Sequence, residues 1–241
     1  THNIAINQSS GHAYLVGTTT CDAGLHMVDL RDPAAPVFAG CFDEIGYIHD
    51  VDCVIYAGPD LEFVGREICV AFNGEVDNRR NHVAFIDVTD KSEPVLLSRI
   101  EYPGSSYSHQ GVFDPSHSFV LMGDEYDEIE FSSNTRTLVW DARDLERPSF
   151  ISAFEHGSRS SDHNMYFARG LLFQANYSAG VRVLSPRNLA NGELEEVAYF
   201  DTYSPHDDAG FFGAWTVYPY LSDVLIASSI EEGLFVLLPQ S

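Results

Sequence analysis

A strand–turn–strand unit recurs along this chain, and a chain built from copies of one small unit has few ways to fold, because each copy buries its apolar face only against the next. Gly24–Leu30 followed by Arg31–Phe38 aligns with His82–Val88 followed by Thr89–Leu96, and both align with Arg136–Ala142 followed by Arg143–Phe150. Each copy reads as an apolar strand, an Asp/Pro turn and a second strand. A fourth copy, Gly180–Ser185 through Leu194 to Phe200, is more degenerate. A fifth begins at Gly233 and runs to Leu238.

Upstream of each hairpin stands a histidine that opens a short apolar strand. The occurrences are His2-Asn3, His49-Asp50, His109-Gln110 and His163-Asn164, with Trp215 in the equivalent place of the fifth unit. Successive spacings are 47, 60, 54 and 52 residues. One more apolar strand lies between the two motifs in each unit, at Ala13–Gly17, Ile68–Phe72, Phe119–Gly123, Leu171–Ala175 and Val224–Ser228. Four short strands in about fifty residues predict an all-β chain folded as a β-propeller. No helix-period segment competes. The reading is a single domain over 1–241, with blades near 1–46, 47–106, 107–160, 161–211 and 212–241. The first blade begins directly on an innermost strand and the fifth ends with its third strand at Pro239. Closed propellers commonly complete the last blade with the N-terminal segment. These blades are therefore expected to form part of a larger propeller, completed by additional upstream blades or another chain. The alternative is a five-bladed ring with one three-stranded blade.

Charge narrows the partners. The chain carries 36 acidic and 13 basic side chains, a formal net charge of −23, and a single lysine, Lys91. So acidic a surface offers no basic face for nucleic acid or for anionic membranes, while 44% hydrophobic residues suffice for a packed core. No window approaches the roughly 18 to 20 apolar residues of a membrane span. The first residues carry no basic region followed by an apolar stretch, so any secretion signal lies outside this chain. Cys21, Cys41, Cys53 and Cys69 all fall in the first third without a CxxC spacing. The strand layout suits two local disulfides, Cys21–Cys41 and Cys53–Cys69, with free buried thiols as the other reading. Disulfides point to an oxidising, extracytoplasmic compartment, and distributed acidity with one lysine suits a saline or calcium-containing exterior.

Several stretches resemble a known family. His49–Tyr56, Gly65–Cys69, Ser108–Gly111, Asp162–Asn164, Gln174–Tyr177 and Ile230–Leu237 resemble the secreted LVIVD-repeat proteins of the choice-of-anchor B family, along nearly the whole chain. The resemblance implies an extracytoplasmic repeat protein, often held at the cell surface by varied C-terminal anchors, and it supports the compartment more than any activity. The chain departs from the pattern by starting where such proteins usually have further repeats upstream, and by showing no anchor up to Ser241.

Chemistry is expected at one face. In an antiparallel meander the start of strand one and the end of strand two lie side by side, so His2, His49, His109 and His163 converge around the central channel with Trp215. Their expected neighbours are Thr18, Asn73, Asp124 with Glu125, Asn176 with Tyr177, and Glu231 with Glu232; Asp50 and Asp162 adjoin the motif histidines. Imidazoles and carboxylates together suit a transition metal or zinc. The structural alternative is that each histidine bonds a backbone carbonyl of the neighbouring blade. His12, His26, His82, His117, His156 and His206 lie off the repeat position and read as surface or packing residues. The run Asp124–Glu130 has the oxygen density of a calcium site without the EF-hand pattern, and otherwise reads as a solvated acidic loop. His206-Asp207-Asp208 is expected to reach the same face, with an ordinary interblade loop as the other reading. No nucleophile elbow, phosphate loop or dinucleotide fingerprint is present, and a carboxylate pair for glycoside cleavage, drawn from Asp50, Asp52, Glu125 and Asp162, rests on fold analogy alone. The expected function is an extracytoplasmic binding or scaffolding module for a protein, glycan or small molecule, with an axial metal site. The alternative is a metal-dependent hydrolase with Glu125 or Asp124 as base on bound water.

Overall fold

The computed structural model describes residues 1–74 and 81–238; Pro239, where the repeat ends its last strand, lies outside them. Blade 1 comprises β1 (Asn3–Asn7), β2 (His12–Val16), β3 (Leu25–Asp29) and β4 (Val37–Phe42). Blade 2 comprises β5 (Asp50–Ile55), β6 (Glu67–Asn73), β7 (His82–Asp87) and β8 (Val95–Ile100). Blade 3 holds β9 (Ser108–Phe113), β10 (Phe119–Asp124), β11 (Arg136–Asp141) and β12 (Ser149–Glu155). Blade 4 holds β13 (Met165–Ala168), β14 (Leu171–Ala175), β15 (Val181–Asn188) and β16 (Glu193–Phe200). Blade 5 has the three strands β17 (Ala214–Tyr218), β18 (Leu225–Ser229) and β19 (Gly233–Leu237). Every sheet is an antiparallel meander in chain order, arranged as a five-bladed β-propeller, as the repeats predict. One short helix, α1 (Asp127–Phe131), interrupts the pattern between β10 and β11.

The repeated aspartates explain the turns. Asp29, Asp87 and Asp141 end their third strands and accept the backbone N–H two residues on, from Arg31, Thr89 and Arg143, at 2.9, 2.9 and 3.0 Å. These are Asx turns, which fix the hairpin into the outer strand. Just before each aspartate the ladder shifts register, between Met27 and Val28, Phe85 and Ile86, and Val139 and Trp140. A bulge at the same place in these three blades adds local twist to the outer strands.

Both predicted disulfides are formed. Cys53 and Cys69 face each other directly across β5 and β6, and Cys21 joins the turn after β2 to Cys41 on β4. Among the described residues no helix is long and apolar enough to cross a membrane.

Packing runs from blade to blade. Tyr14, Leu25 and Met27 of blade 1 meet Val51, Ala71 and Ile86 of blade 2 in one core. Phe72 and Phe85 of blade 2 meet Phe113, Leu138 and Trp140 of blade 3 in another. Further cores join blades 3 and 4, through Leu121, Val139 and Leu184, and blades 4 and 5, through Phe173, Val183 and Leu225. Among the described residues no fifth cluster joins blade 5 to blade 1. The outward faces there stay open: Ile4 and Ile6 of β1 are 54% and 57% exposed, and Leu234 and Val236 of β19 are 66% and 62% exposed. Beside β19, where a fourth strand would pair, an apolar groove of about 930 Å³ is lined by Val197, Tyr199, Phe200, Val236 and Leu238 among others.

Candidate metal centre

The innermost strands carry the repeated rings to the axis, and local backbone irregularity aims them. In blade 3 the β9–β10 ladder pairs Gly123 with Gln110 and then Asp124 with Ser108, so His109 is the extra residue of a bulge. Blade 5 repeats the device, with Trp215 skipped between the Ala214 and Thr216 pairings. A bulge re-aims the side chain of its extra residue. The five rings then form a ladder, His2 to His49 at 4.2 Å, His49 to His109 at 4.2 Å, His109 to His163 at 4.5 Å and His163 to Trp215 at 4.4 Å between centroids.

Two of the rings are held from one side through Nδ1. The Nδ1 of His49 bonds the His109 carbonyl at 2.9 Å, and the Nδ1 of His163 bonds the Trp215 carbonyl. His109 has the His163 backbone in the corresponding place, although its Nδ1 closes no hydrogen bond of ordinary geometry. The carbonyl bonding expected of a structural histidine is thus present, and it does not compete with metal binding. An N–H committed to a carbonyl leaves the other nitrogen, Nε2, as a lone pair, the second-sphere arrangement of metal-ligating histidines.

Two of the four histidines meet a carboxylate. Glu125 follows β10, beside the start of β9. Its Oε2 lies 3.5 Å from His109 Nε2 and its Oε1 3.9 Å from His163 Nε2. All three ligand atoms fall within 4.8 Å of one another. Ligands at bonds of roughly 2.1 Å and tetrahedral angles stand about 3.4 Å apart, so this triangle is already near the size of a zinc coordination sphere. Tyr177 donates its hydroxyl to Glu125 Oε1 at 2.5 Å, fixing the carboxylate from the fourth blade. His109, Glu125 and His163 are all buried, at 2%, 6% and 5% exposure.

Burial sets the protonation. It pushes His163 down to about 4 and His49 down to about 3. His109 lies well below its ordinary value through burial and the neighbouring His163 and His49. The imidazoles are therefore neutral and ligand-ready at physiological pH. Burial raises the Glu125 carboxyl to about 7, against the Tyr177 hydrogen bond, which lowers it.

The remaining expected residues take other places. His2 is exposed, with its ring tilted against that of His49. His49 is buried but stands outside the His109–Glu125–His163 group. Asp50 accepts the Val51 N–H at 2.7 Å, and burial raises it to about 7. Asn176 is buried with its side-chain amide unpartnered, Trp215 supplies a carbonyl and an exposed ring, and Glu231 accepts the Gly213 N–H at 2.8 Å. Asp124 accepts the N–H groups of Ser106 and Tyr107 and the Tyr102 hydroxyl, at 2.8, 2.6 and 2.7 Å. Its oxygens hold the loop before β9. Of the off-repeat histidines, His156 is a buried packing residue bonded to Thr137, as expected. The solvated-loop reading of Asp124–Glu130 is corrected at its centre, since Asp127 and Glu128 on α1 are buried. Sequence reading also missed three rings around the expected Tyr177: Tyr107 stacks on Tyr126 at 4.7 Å, and Phe211 touches both Tyr126 and Tyr177. No repeat spacing marks these rings.

Comparison with solved structures agrees on the fold. The chain is similar to a protein from Lactobacillus plantarum at 15% identity and a TM-score of 0.58, over 98% of this chain and 69% of that one. It is similar to the computationally designed Ika8 protein at 9% identity and a TM-score of 0.53, over 98% of this chain and 57% of that one. A functionally unknown protein from Desulfotomaculum acetoxidans matches at 12% identity and a TM-score of 0.50, over 99% and 89% of the two chains. At such identities the likeness concerns the fold alone. No family model and no curated protein matches the sequence.

Proposed function

We propose that this protein is an extracytoplasmic binding or scaffolding propeller, of the LVIVD-repeat kind, whose His109–Glu125–His163 group holds a transition-metal ion, zinc foremost. One observation carries the reading: two neutral imidazoles and a carboxylate converge within 4.8 Å in a buried site, with the His163 ring tied through Nδ1 so that Nε2 faces the carboxylate. Burial supports retention of an ion over turnover at it, because substrate must reach a catalytic ion. The exposed rings of Phe211 and Trp215 beside the site suit the docking of a glycan, peptide or small molecule over the ion. The two disulfides support a secreted or cell-surface location. The open apolar faces of blades 1 and 5 support completion of the ring by further blades or another chain.

Elemental mass spectrometry on gently purified protein tests the metal. About one equivalent of zinc or another transition ion is expected, and His109→Ala should abolish it while the thermal midpoint of the metal-free protein barely changes. Less than about a tenth of an equivalent after incubation with zinc sinks the metal reading. A large loss of stability in the metal-free variant would instead assign His109 to packing.

A further inference from the structure

Blade 5 supplies none of the His109–Glu125–His163 group, yet the start of its first strand holds two of the three in place. The Nδ1 of His163 bonds the carbonyl of Trp215, so the backbone of β17 sets that ring directly. Glu125 is reached in two steps. Its Oε1 accepts the Tyr177 hydroxyl at 2.5 Å, and the Tyr177 carbonyl accepts the Ala214 N–H of β17 at 2.8 Å. Tyr177 and Ala214 form an isolated antiparallel bridge between blades 4 and 5, and both are completely buried.

Tyr177 is held in an unusual pose. Its φ is +35°, in a region that residues with bulky side chains rarely enter and keep only where the surroundings enforce it. Its carbonyl also accepts the Gly180 N–H at 3.0 Å, which closes the turn between β14 and β15. The chain of blade 5 comes this close because residue 213 is glycine: a Cβ there would stand 2.4 Å from the Tyr177 carbonyl oxygen. Gly213 is fixed in turn, its N–H donating to Glu231 at 2.8 Å and its carbonyl accepting the Ile230 N–H at 2.9 Å. The Tyr177 ring then packs on both His163 and Trp215, at 4.9 and 5.9 Å between centroids.

Among the described residues blade 5 shares a core with blade 4 alone, and Leu234 and Val236 on its other face are open. A segment that orients two ligands and can also come away from them couples the two events, because whatever favours the docked strand favours the assembled site, and the reverse. We propose that Gly213-Ala214-Trp215 is the positioning segment of the metal site, with Tyr177 as its relay to Glu125, so that ion binding and the docking of blade 5 stabilise each other. This rests on the metal reading above and adds to it a blade that contributes no ligand.

The test begins with a zinc titration of chelator-treated protein. Absence of binding overturns the metal reading and this inference together; the remaining outcomes bear on this inference alone. Native-state hydrogen exchange is followed without zinc and with zinc at about a hundred times its Kd, where exchange through openings that break the site slows by up to about a hundredfold. Slowing of about tenfold or more is expected across β17–β19, with less than about a twofold change in β1–β4. Slowing confined to residues 108–125 and 162–177, or equal in blades 1 and 5, overturns the coupling. Tyr177→Phe keeps the ring and the carbonyl and removes the hydroxyl. It should weaken zinc binding about tenfold or more, as loss of a ligand-orienting hydrogen bond does, and shrink the zinc-dependent protection of β17–β19. Unchanged zinc affinity and unchanged protection in this variant overturn the role of Tyr177 as relay.

Discussion

At His49 and His163 one ring nitrogen is anchored and the other is open, and that asymmetry makes the proton balance of the site calculable. A histidine depressed to about 3 or 4 is neutral in the folded protein while its unfolded counterpart titrates near 6.5. Its contribution to stability is complete above pH 6.5 and is lost as pH falls from there toward 4. Glu125 runs the other way. Raised to about 7, it favours the fold below its ordinary value and loses that contribution as pH rises through 7, where the bare carboxylate becomes buried charge. Bound metal removes the penalty. Zinc uptake should therefore release about half a proton at pH 7, approaching one near pH 6 and close to none at pH 8. Calorimetry in buffers of different ionisation enthalpy measures this number. A release of two protons at pH 6 would mean that the histidines, not Glu125, are titrating.

Between elements, the most informative contact belongs to the only lysine. Lys91, in the turn between β7 and β8, bonds Glu67 Oε2 of β6 at 2.7 Å and the Val88 carbonyl at 2.6 Å. Glu67 Oε1 reaches into blade 1, accepting Asn7 Nδ2 at 2.7 Å and Ser10 Oγ at 2.6 Å. Burial raises the Glu67 carboxyl, yet Lys91 and Ser10 together hold it below its ordinary value. Lys91→Met should cost about 3–5 kcal/mol in urea unfolding, because it strands a buried carboxylate. Adding Glu67→Gln should recover part of the loss; no recovery would mean that the lysine acts through its stem. The blades, the inner-strand histidines and both disulfides were legible in the sequence because each recurs with a period or fits the strand order that the period dictates. What escaped it was local. The bulge at His109 and the position of Glu125 decide which histidines meet a carboxylate, and neither is periodic. Asp127 and Glu128 read as solvated because charge density ordinarily marks surface; only the course of α1 turns them inward. Lys91, the single lysine, is a pin between two blades, and nothing in its sequence context marked that role.

At the scale of the whole molecule, each core is shared by two consecutive blades, so cohesion passes along the chain as in a linear array. Blades 2, 3 and 4 are clamped on both sides, while blades 1 and 5 have one packed face and one open face. The two end blades are not equivalent. Cys21–Cys41 closes a loop inside blade 1 and Cys53–Cys69 another inside blade 2, whereas blades 3, 4 and 5 contain no cysteine. Native-state hydrogen exchange should find the fastest opening in β17–β19, intermediate protection in blade 1 and the slowest exchange in β6, β7 and β10. Reduction should erase the advantage of blade 1 over blade 5 while leaving blade 3 nearly unchanged. Equal protection of the two ends in the oxidised protein would contradict this. The stapled pair of blades thus gives these five blades a direction of failure: opening starts in blade 5, and a protease would cut there before it cut in blade 1.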